Sequence, residues 1–257
     1  MSEPQRYFFV HLQKTAGTTL FRRIRRHLGD AAVYPDASDG RPPETVLLVD
    51  HLLERWRARR SEIRVVTGHF PLCTTEVLGV PFSTFTVLRE PVERTLSFLR
   101  HHRARTPADR DVPLEVIYED DIRFHGLVHN HMVKMFALRA EEMIAGCMTR
   151  VDFTRAHLDR AKERLESVDV VGLQEDFEPF CAELAARFGW DLGPPEHTNR
   201  TEPVDVSPAF VERIAHDNAL DVELYEFARD LVRRRRDRGA PARDRGAGAT
   251  SGSAAGQ

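Results

Sequence analysis

A lysine, a glycine and three hydroxyl side chains crowd into the run HLQKTAGTTL, residues 11–20, just ahead of a stretch with helical periodicity. Those residue types in that order suit the capture of an oxyanion. Amides at a helix N-terminus have no carbonyl one turn back, point outward and sit at the positive end of the helix dipole. Gly17 lets backbone approach an anion closely. Thr15, Thr18 and Thr19 add hydroxyl donors, and Lys14 adds a full charge that can follow negative charge growing on a leaving oxygen. The loop is not the triphosphatase pattern G-x-x-x-x-G-K-[ST], because Lys14 precedes Gly17 and no glycine opens it. Read as an ordinary polar connection, the run leaves its clustering without a cause.

A second constellation lies in TVLREPVERTLSFLRHH, residues 86–102. Arg89 stands at the end of an apolar run, and Pro91 suits the first turn of a helix. Arg94 and Ser97 are then three apart on one helix face. An arginine fork beside a hydroxyl suits a terminal phosphate. A hydroxyl acceptor needs a base, and histidine titrates near working pH. Of the twelve histidines, His69 in VVTGHF falls just beyond an apolar run and beside Gly68. His125, His129 and His131 fall in FHGLVHNHMVKM. His125 and His129 have the i, i+4 spacing of metal ligands, but no third ligand is near in sequence, and no metal site is expected.

The elements that would position these groups alternate. Strands are expected at Tyr7–Val10, 63–66, 82–88 and 168–173, from short aromatic and β-branched runs. Helices are expected from the 3.6-residue spacing of apolar side chains over 20–28, 44–60, 92–102, 124–138, 153–165, 178–188, 208–216 and 220–236. Loops are expected at 36–43 and 109–121. Near-continuous apolar strands alternating with amphipathic helices imply an α/β fold, a central mostly parallel sheet flanked by helices. In such sheets ligands bind beyond the carboxyl ends of the strands. The residues that should matter are therefore 11–19, Gly68 with His69, Arg89 to Arg94, and Gln174 with Glu175.

The bulk numbers agree with one globular domain. The chain has 257 residues, 41% hydrophobic and 30% charged, with net charge −3 and pI near 6.5. That balance does not suggest a nucleic-acid binder. Cys73, Cys147 and Cys181 form no C-x-x-C pair and no even framework, so three reduced thiols in a cytoplasmic protein are expected. The start has no signal-peptide core and no run is long enough to span a bilayer. A single domain over 1–232 is expected, followed by a disordered Arg/Gly/Ala/Ser-rich tail, 233–257. The arginines at its start are read as a solvated helix end.

The run HLQKTAGTTL resembles the 5′-phosphosulfate loop of sulfotransferases that use 3′-phosphoadenosine 5′-phosphosulfate (PAPS). It is most similar to the carbohydrate branch of heparan and chondroitin type and its bacterial relatives, H-x-P-K-T-A/G-G-T-S/T, with Gln13 in place of Pro. REPVERTLS resembles the 3′-phosphate motif R-[DE]-P-x-x-R-x-x-S, and VVGLQEDFEPFCAELAARFGW resembles a common strand and helix of these proteins. The resemblance implies a P-loop-like three-layer fold and sulfuryl transfer from PAPS to a hydroxyl on a sugar, glycolipid or small metabolite, with no metal. It places Lys14, Thr15, Ala16, Gly17, Thr18 and Thr19 on the phosphosulfate, and Arg89 and Ser97 on the 3′-phosphate. It makes His69 the base beside Lys14. It puts His11, Asn130, and Asn199 and Arg200 of the HTNRT run on the acceptor side. The rivals are a non-catalytic anion-binding protein of the same fold and an ATP-dependent small-molecule kinase.

Overall fold

The computed structural model describes residues 4–143, 145–195 and 206–239. Chain order is β1 (Tyr7–Val10), α1 (Gly17–Leu28), β2 (Val33–Tyr34), α2 (Glu44–Leu47), α3 (Val49–Arg59), β3 (Val65–Val66), α4 (Thr74–Leu78) and β4 (Ser83–Leu88). There follow α5 (Pro91–Arg105), α6 (Leu114–Tyr118), α7 (Asp121–Arg123), α8 (His131–Ala137), α9 (Arg155–Ser167), β5 (Val170–Leu173), α10 (Phe177–Phe188), α11 (Pro208–Asp217) and α12 (Ala219–Gly239).

The five strands form one sheet in the order β2-β3-β1-β4-β5, every pair parallel. Strand alternation divides the core. Tyr7 and Phe9 of β1 pack with Phe85, Val170, Leu20 and Ile24 of α1 and Leu184 of α10. Phe8 and Val10 face the other side, with Trp56 of α3, Met132 of α8, Leu158 of α9 and Leu224 of α12. Helices therefore cover both faces, which is why β1 has no exposed residue. A third cluster joins Leu96 and Leu99 of α5 to Ile117 of α6 and Ile214 of α11. The expected three-layer α/β architecture is present.

The strand order sets the site. From β1 the chain runs to β2 and β3 on one side, then crosses to β4 and β5 on the other. The connections diverge between β1 and β4, and a crevice opens there beyond the strand ends. The loops after β1 and β4 are the two that carry Lys14 and Arg89.

Several elements differ from expectation. β2 is only two residues long, too short to show a period. The helix expected over 44–60 breaks at Leu48, which is extended. The loop expected over 109–121 contains α6, whose Leu114, Ile117 and Tyr118 are buried. The helix expected over 124–138 splits into a π-turn over Phe124–Val128 and α8, separated by Asn130 in the left-handed region. His125 and His129 are accordingly not two rungs of one α-helix.

The last helix continues to Gly239, past the boundary expected at 232; residues 240–257 lie outside the described residues. Its arginines are held by the protein itself. Arg233 pairs with Asp230 at 2.9 Å, Arg236 with Asp176 at 2.7 Å, and Arg235 donates to the carbonyls of Val168 and Glu166. All three cysteines are free and buried. Among the described residues, no helix is long and apolar enough to cross a membrane.

Candidate active site

The loop after β1 folds back on itself. Leu12 is fully buried, and the Thr15 hydroxyl donates to its carbonyl at 2.9 Å. Lys14 (φ 68°) and Ala16 (φ 64°) both adopt the left-handed conformation without being glycine. Such strain persists only where the surroundings hold it, and it gathers at functional sites. Left-handed residues interleaved in this way turn successive amides toward one point, a concavity suited to an anion. The Ala16 carbonyl accepts from the Thr19 amide at 3.1 Å, closing the first turn of α1. No acidic residue lies in that turn, so nothing in it offsets the helix dipole.

Gly17 is required by packing. A Cβ there would lie 1.8 Å from Nε2 of His11, whose ring covers the start of the helix. That ring stacks on Phe9 at 4.8 Å and tilts against His69 at 4.6 Å. Burial, reinforced by the nearby His69 and Lys14 charges, holds the His11 imidazole well below its ordinary pKa, so it is neutral.

His69 follows β3 and is fastened at both ends. Its amide donates to the Val46 carbonyl at 2.8 Å, and its Nδ1 lies 2.8 Å from the His11 carbonyl. A carbonyl only accepts, so Nδ1 carries the proton and Nε2 keeps a lone pair. Burial lowers the His69 pKa; the bond to His11 opposes this, and the Lys14 charge adds to it. Gly68 (φ 139°) allows the Phe70 ring to fold underneath, 2.3 Å from where a Cβ would stand.

Arg89 ends β4 and reaches across the crevice. Its Nη1 donates to the Lys14 carbonyl at 3.2 Å, and its Nη2 lies 3.4 Å from Glu93. Glu90 caps α5 by accepting from the amides of Val92 and Glu93. Ser97 lies two turns along α5 and is 6% exposed. Partial burial, then Arg89, then Arg105 lower the Lys14 pKa. Cations are gathered here without enough acid to balance them.

Two expected ligands turn elsewhere. The Thr15 hydroxyl is committed to the Leu12 carbonyl, leaving its backbone to face an anion. Arg94 is fully buried, and its guanidinium donates to the carbonyls of Leu127 and Val128. It fastens the π-turn and is not part of an exposed phosphate fork. Thr18 is exposed at the helix start and Thr19 is buried.

Asn130, expected on the acceptor side, has a structural task. Its Oδ1 accepts from the amides of Leu220 and Asp221, the first turn of α12. Asp221 in turn accepts from the amides of Met132 and Val133, the first turn of α8. Each helix is capped by a residue from the start of the other. Asp221, Arg94, Lys134 and His131 are all fully buried around this junction. Burial pushes the Asp221 carboxyl up to about 6 and pulls the Lys134 ammonium down to about 8. Both ring nitrogens of His131 lack a hydrogen-bond partner within normal geometry. Nothing local in the sequence marks Asp221; its partners lie almost ninety residues away.

Asn199 and Arg200 lie outside the described residues. An open cleft of about 420 Å³ is lined by His129, Asn130, Phe153, Arg155, His216 and Asp217, so Asn130 borders a cleft as well as capping α12. No residue of the three loops above lines it. Its Arg155 is paired with Glu223, and its Asp217 accepts from the Tyr118 hydroxyl. Among the described residues, no group of three His, Cys, Asp or Glu side chains is arranged to hold a metal ion.

No protein-family model matches the chain. A Gallus gallus protein described as "Heparan-sulfate 6-O-sulfotransferase 2" is 25% identical over 272 residues, spanning 88% of this chain and 66% of that protein's length. The crystal structure of a sulfotransferase from Alicyclobacillus acidocaldarius covers 87% of this chain and 95% of that chain, with a TM-score of 0.49 and 16% identity, a likeness too remote to bear on the chemistry. The chain is thus similar over 88% of its length to a sulfotransferase, and it carries an all-parallel α/β sheet with a strained, lysine-bearing loop after the central strand.

Proposed function

We propose that the chain transfers a sulfuryl group from PAPS to a hydroxyl acceptor, a sugar, glycolipid or small metabolite. The observation that carries this reading is the placement of a neutral imidazole against the anion loop. His69 donates from Nδ1 to the His11 carbonyl, and His11 opens the loop that holds Lys14. The donor brings the activated sulfur, and the chemistry it supplies is displacement at that sulfur by an oxygen nucleophile.

The residues divide the work. His69 Nε2 accepts the proton of the attacking hydroxyl. The amides of the loop and of the α1 N-terminus, with Lys14, stabilise the charge that develops on the departing phosphate oxygen. Arg89 and Ser97 hold the 3′-phosphate, and Arg89 keeps the loop in place through the Lys14 carbonyl. The left-handed residues fix the loop before the ligand arrives, so little ordering remains at the moment of binding.

Calorimetric titration with 3′-phosphoadenosine 5′-phosphate (PAP), beside adenosine 5′-phosphate, tests the donor. Tight binding that needs the 3′-phosphate, and that weakens at least about tenfold in Arg89→Ala, is expected for a lost charge-assisted contact. Equal binding of the two nucleotides, or none of either, rejects the donor assignment and leaves an anion-binding protein of the same fold.

A further inference from the structure

We propose that the cleft between the starts of α9 and α12 binds one uncharged, polyhydroxylated ring, a neutral sugar unit of the acceptor beside the unit that presents the reacting hydroxyl. The binding site stands on the cleft itself; its place in the reaction rests on the sulfuryl-transfer reading.

The wall of the cleft at His129 follows directly on the π-turn, a kind of turn found often at functional sites. Two buried cations hold that turn by its carbonyls. Lys134 Nζ donates to those of His125 and Gly126, and Arg94 to those of Leu127 and Val128. His129 is therefore fixed before any ligand arrives. Its ring stacks on Phe124 at 5.1 Å and meets Phe153 edge-on at 5.2 Å. Nδ1 is buried without a partner, and no described residue bonds Nε2, which is left to the cleft. Across from it, Asp217 lies 3.4 Å from Nδ1 of the exposed His216.

Phe153 gives the C–H face of a sugar ring an apolar surface, and His129 Nε2, His216 and Asp217 give its hydroxyls partners. The charged groups that line the cleft are already matched. Glu223 takes both Nη atoms of Arg155. Asp217 accepts from the Tyr118 hydroxyl at 3.0 Å and lies 3.7 Å from Arg213. No unpaired cation among the described lining residues awaits an anion, so a neutral ring fits better than a uronate or a sulfated one.

The cleft lies on the edge of the sheet where the strands end. α9 leads from there back to the start of β5, and α12 passes Tyr225, whose hydroxyl donates to Glu175 just beyond β5. α8 links the cleft to the proposed base. It begins beside Asn130, and its Met135 carbonyl accepts from the amide of Leu72, three residues after His69, at 2.8 Å. Asn130 to Met135 spans about 8 Å at 1.5 Å per residue.

A glycan array probed with the labelled full chain tests the site. Neutral oligosaccharides should retain the chain better than their uronate-bearing or sulfated counterparts. The strongest neutral binder is then titrated by calorimetry into wild type, Phe153→Ala and His216→Ala, each with a thermal melt. Phe153→Ala should lose about three- to tenfold in affinity, as expected for one removed ring face. His216→Ala, whose side chain is 89% exposed, should lose affinity with an unchanged melt, and it alone decides if Phe153→Ala does not fold. Retention by anionic glycans only, retention by none, or an affinity unchanged in the folded variants overturns the site. Any of these beside PAP binding that needs the 3′-phosphate leaves the donor reading intact. Neutral-glycan binding that the variants lose, in a chain that binds no PAP, keeps the site and removes sulfuryl transfer.

Discussion

Arg89 donates from Nη1 to the backbone carbonyl of Lys14 across 3.2 Å, so the side chain that ends β4 holds the backbone of the loop that ends β1. β1 and β4 are paired neighbours, and the chain's connections diverge between them. The bond therefore spans the crevice at its floor. It leaves the Lys14 ammonium unhindered, because only the carbonyl is used.

In the proposed reaction Lys14 serves chemistry at a cost to the fold. Its left-handed backbone opposes the preference of any residue with a Cβ, by about 1–2 kcal/mol. Lys14→Gly should raise the melting temperature while turnover drops by about 10²–10³, the loss typical of one preorganised transition-state donor. Lys14→Ala should show the same loss of turnover with a melting temperature near wild type. A collapse of folding in either variant would place Lys14 in the core and not in the site.

Gly17 and His11 should be coupled. Gly17→Ala forces the His11 ring away, and overpacking of this kind costs about 1–3 kcal/mol. Removing the ring in His11→Ala makes the space that the new methyl needs. The double variant should accordingly be more stable than Gly17→Ala alone. Independent, additive effects in the thermal melts would show that the two do not share that space.

The base assignment predicts a pH profile. His69 works as the neutral imidazole, and burial with the Lys14 charge lowers its pKa from the ordinary 6.5. The acid limb of kcat/KM should lie below pH 6.5, with a plateau at neutral pH. Replacing Lys14 by Met removes one of the lowering charges, so in the residual activity that limb should move upward. For stability the sign runs the same way. A histidine protonated less readily in the folded state stabilises fully above its unfolded pKa, and that contribution fades as pH falls through 6.5 toward the folded value. A limb above 6.5 in wild type would remove His69 as the base.

Asp221 predicts the opposite slope. Its folded pKa is raised by burial from 3.8 to about 6. Between those values the folded state binds more protons than the unfolded one, so the contribution of this group to stability falls as pH rises from about 4 to 6 and is constant above that. Asp221→Asn should lower the melting temperature at every pH, because one of two amide acceptors is lost. The deficit relative to wild type should be largest near pH 4 and smaller at pH 7. A deficit that grows toward neutral pH would mean that the carboxylate is stabilised as an anion.

The strands and the two motif loops were legible because their signals are local. YFFV is apolar on both faces, and HLQKTAGTTL carries its chemistry in consecutive residues. Arg94 shows where that logic stops. It occupies a motif position three residues before Ser97, yet its guanidinium goes to carbonyls of the π-turn more than thirty residues later. Periodicity over 124–138 suggested one helix, because Phe124, Val128, Met132 and Met135 keep a helical rhythm across a break made by Asn130. That break is supported by Asn218, whose side chain accepts from the Asn130 amide. β2 carried too few residues to declare itself.

The exchange of caps between α8 and α12 makes two distant stretches of the chain a single heritable unit. Asn130 starts one helix and Asp221 starts the other, so a change at either position leaves the amides of its partner helix without acceptors. In descendants of this sequence the two positions should drift together or not at all, and a recombination junction placed between them should join only parents that already agree at both.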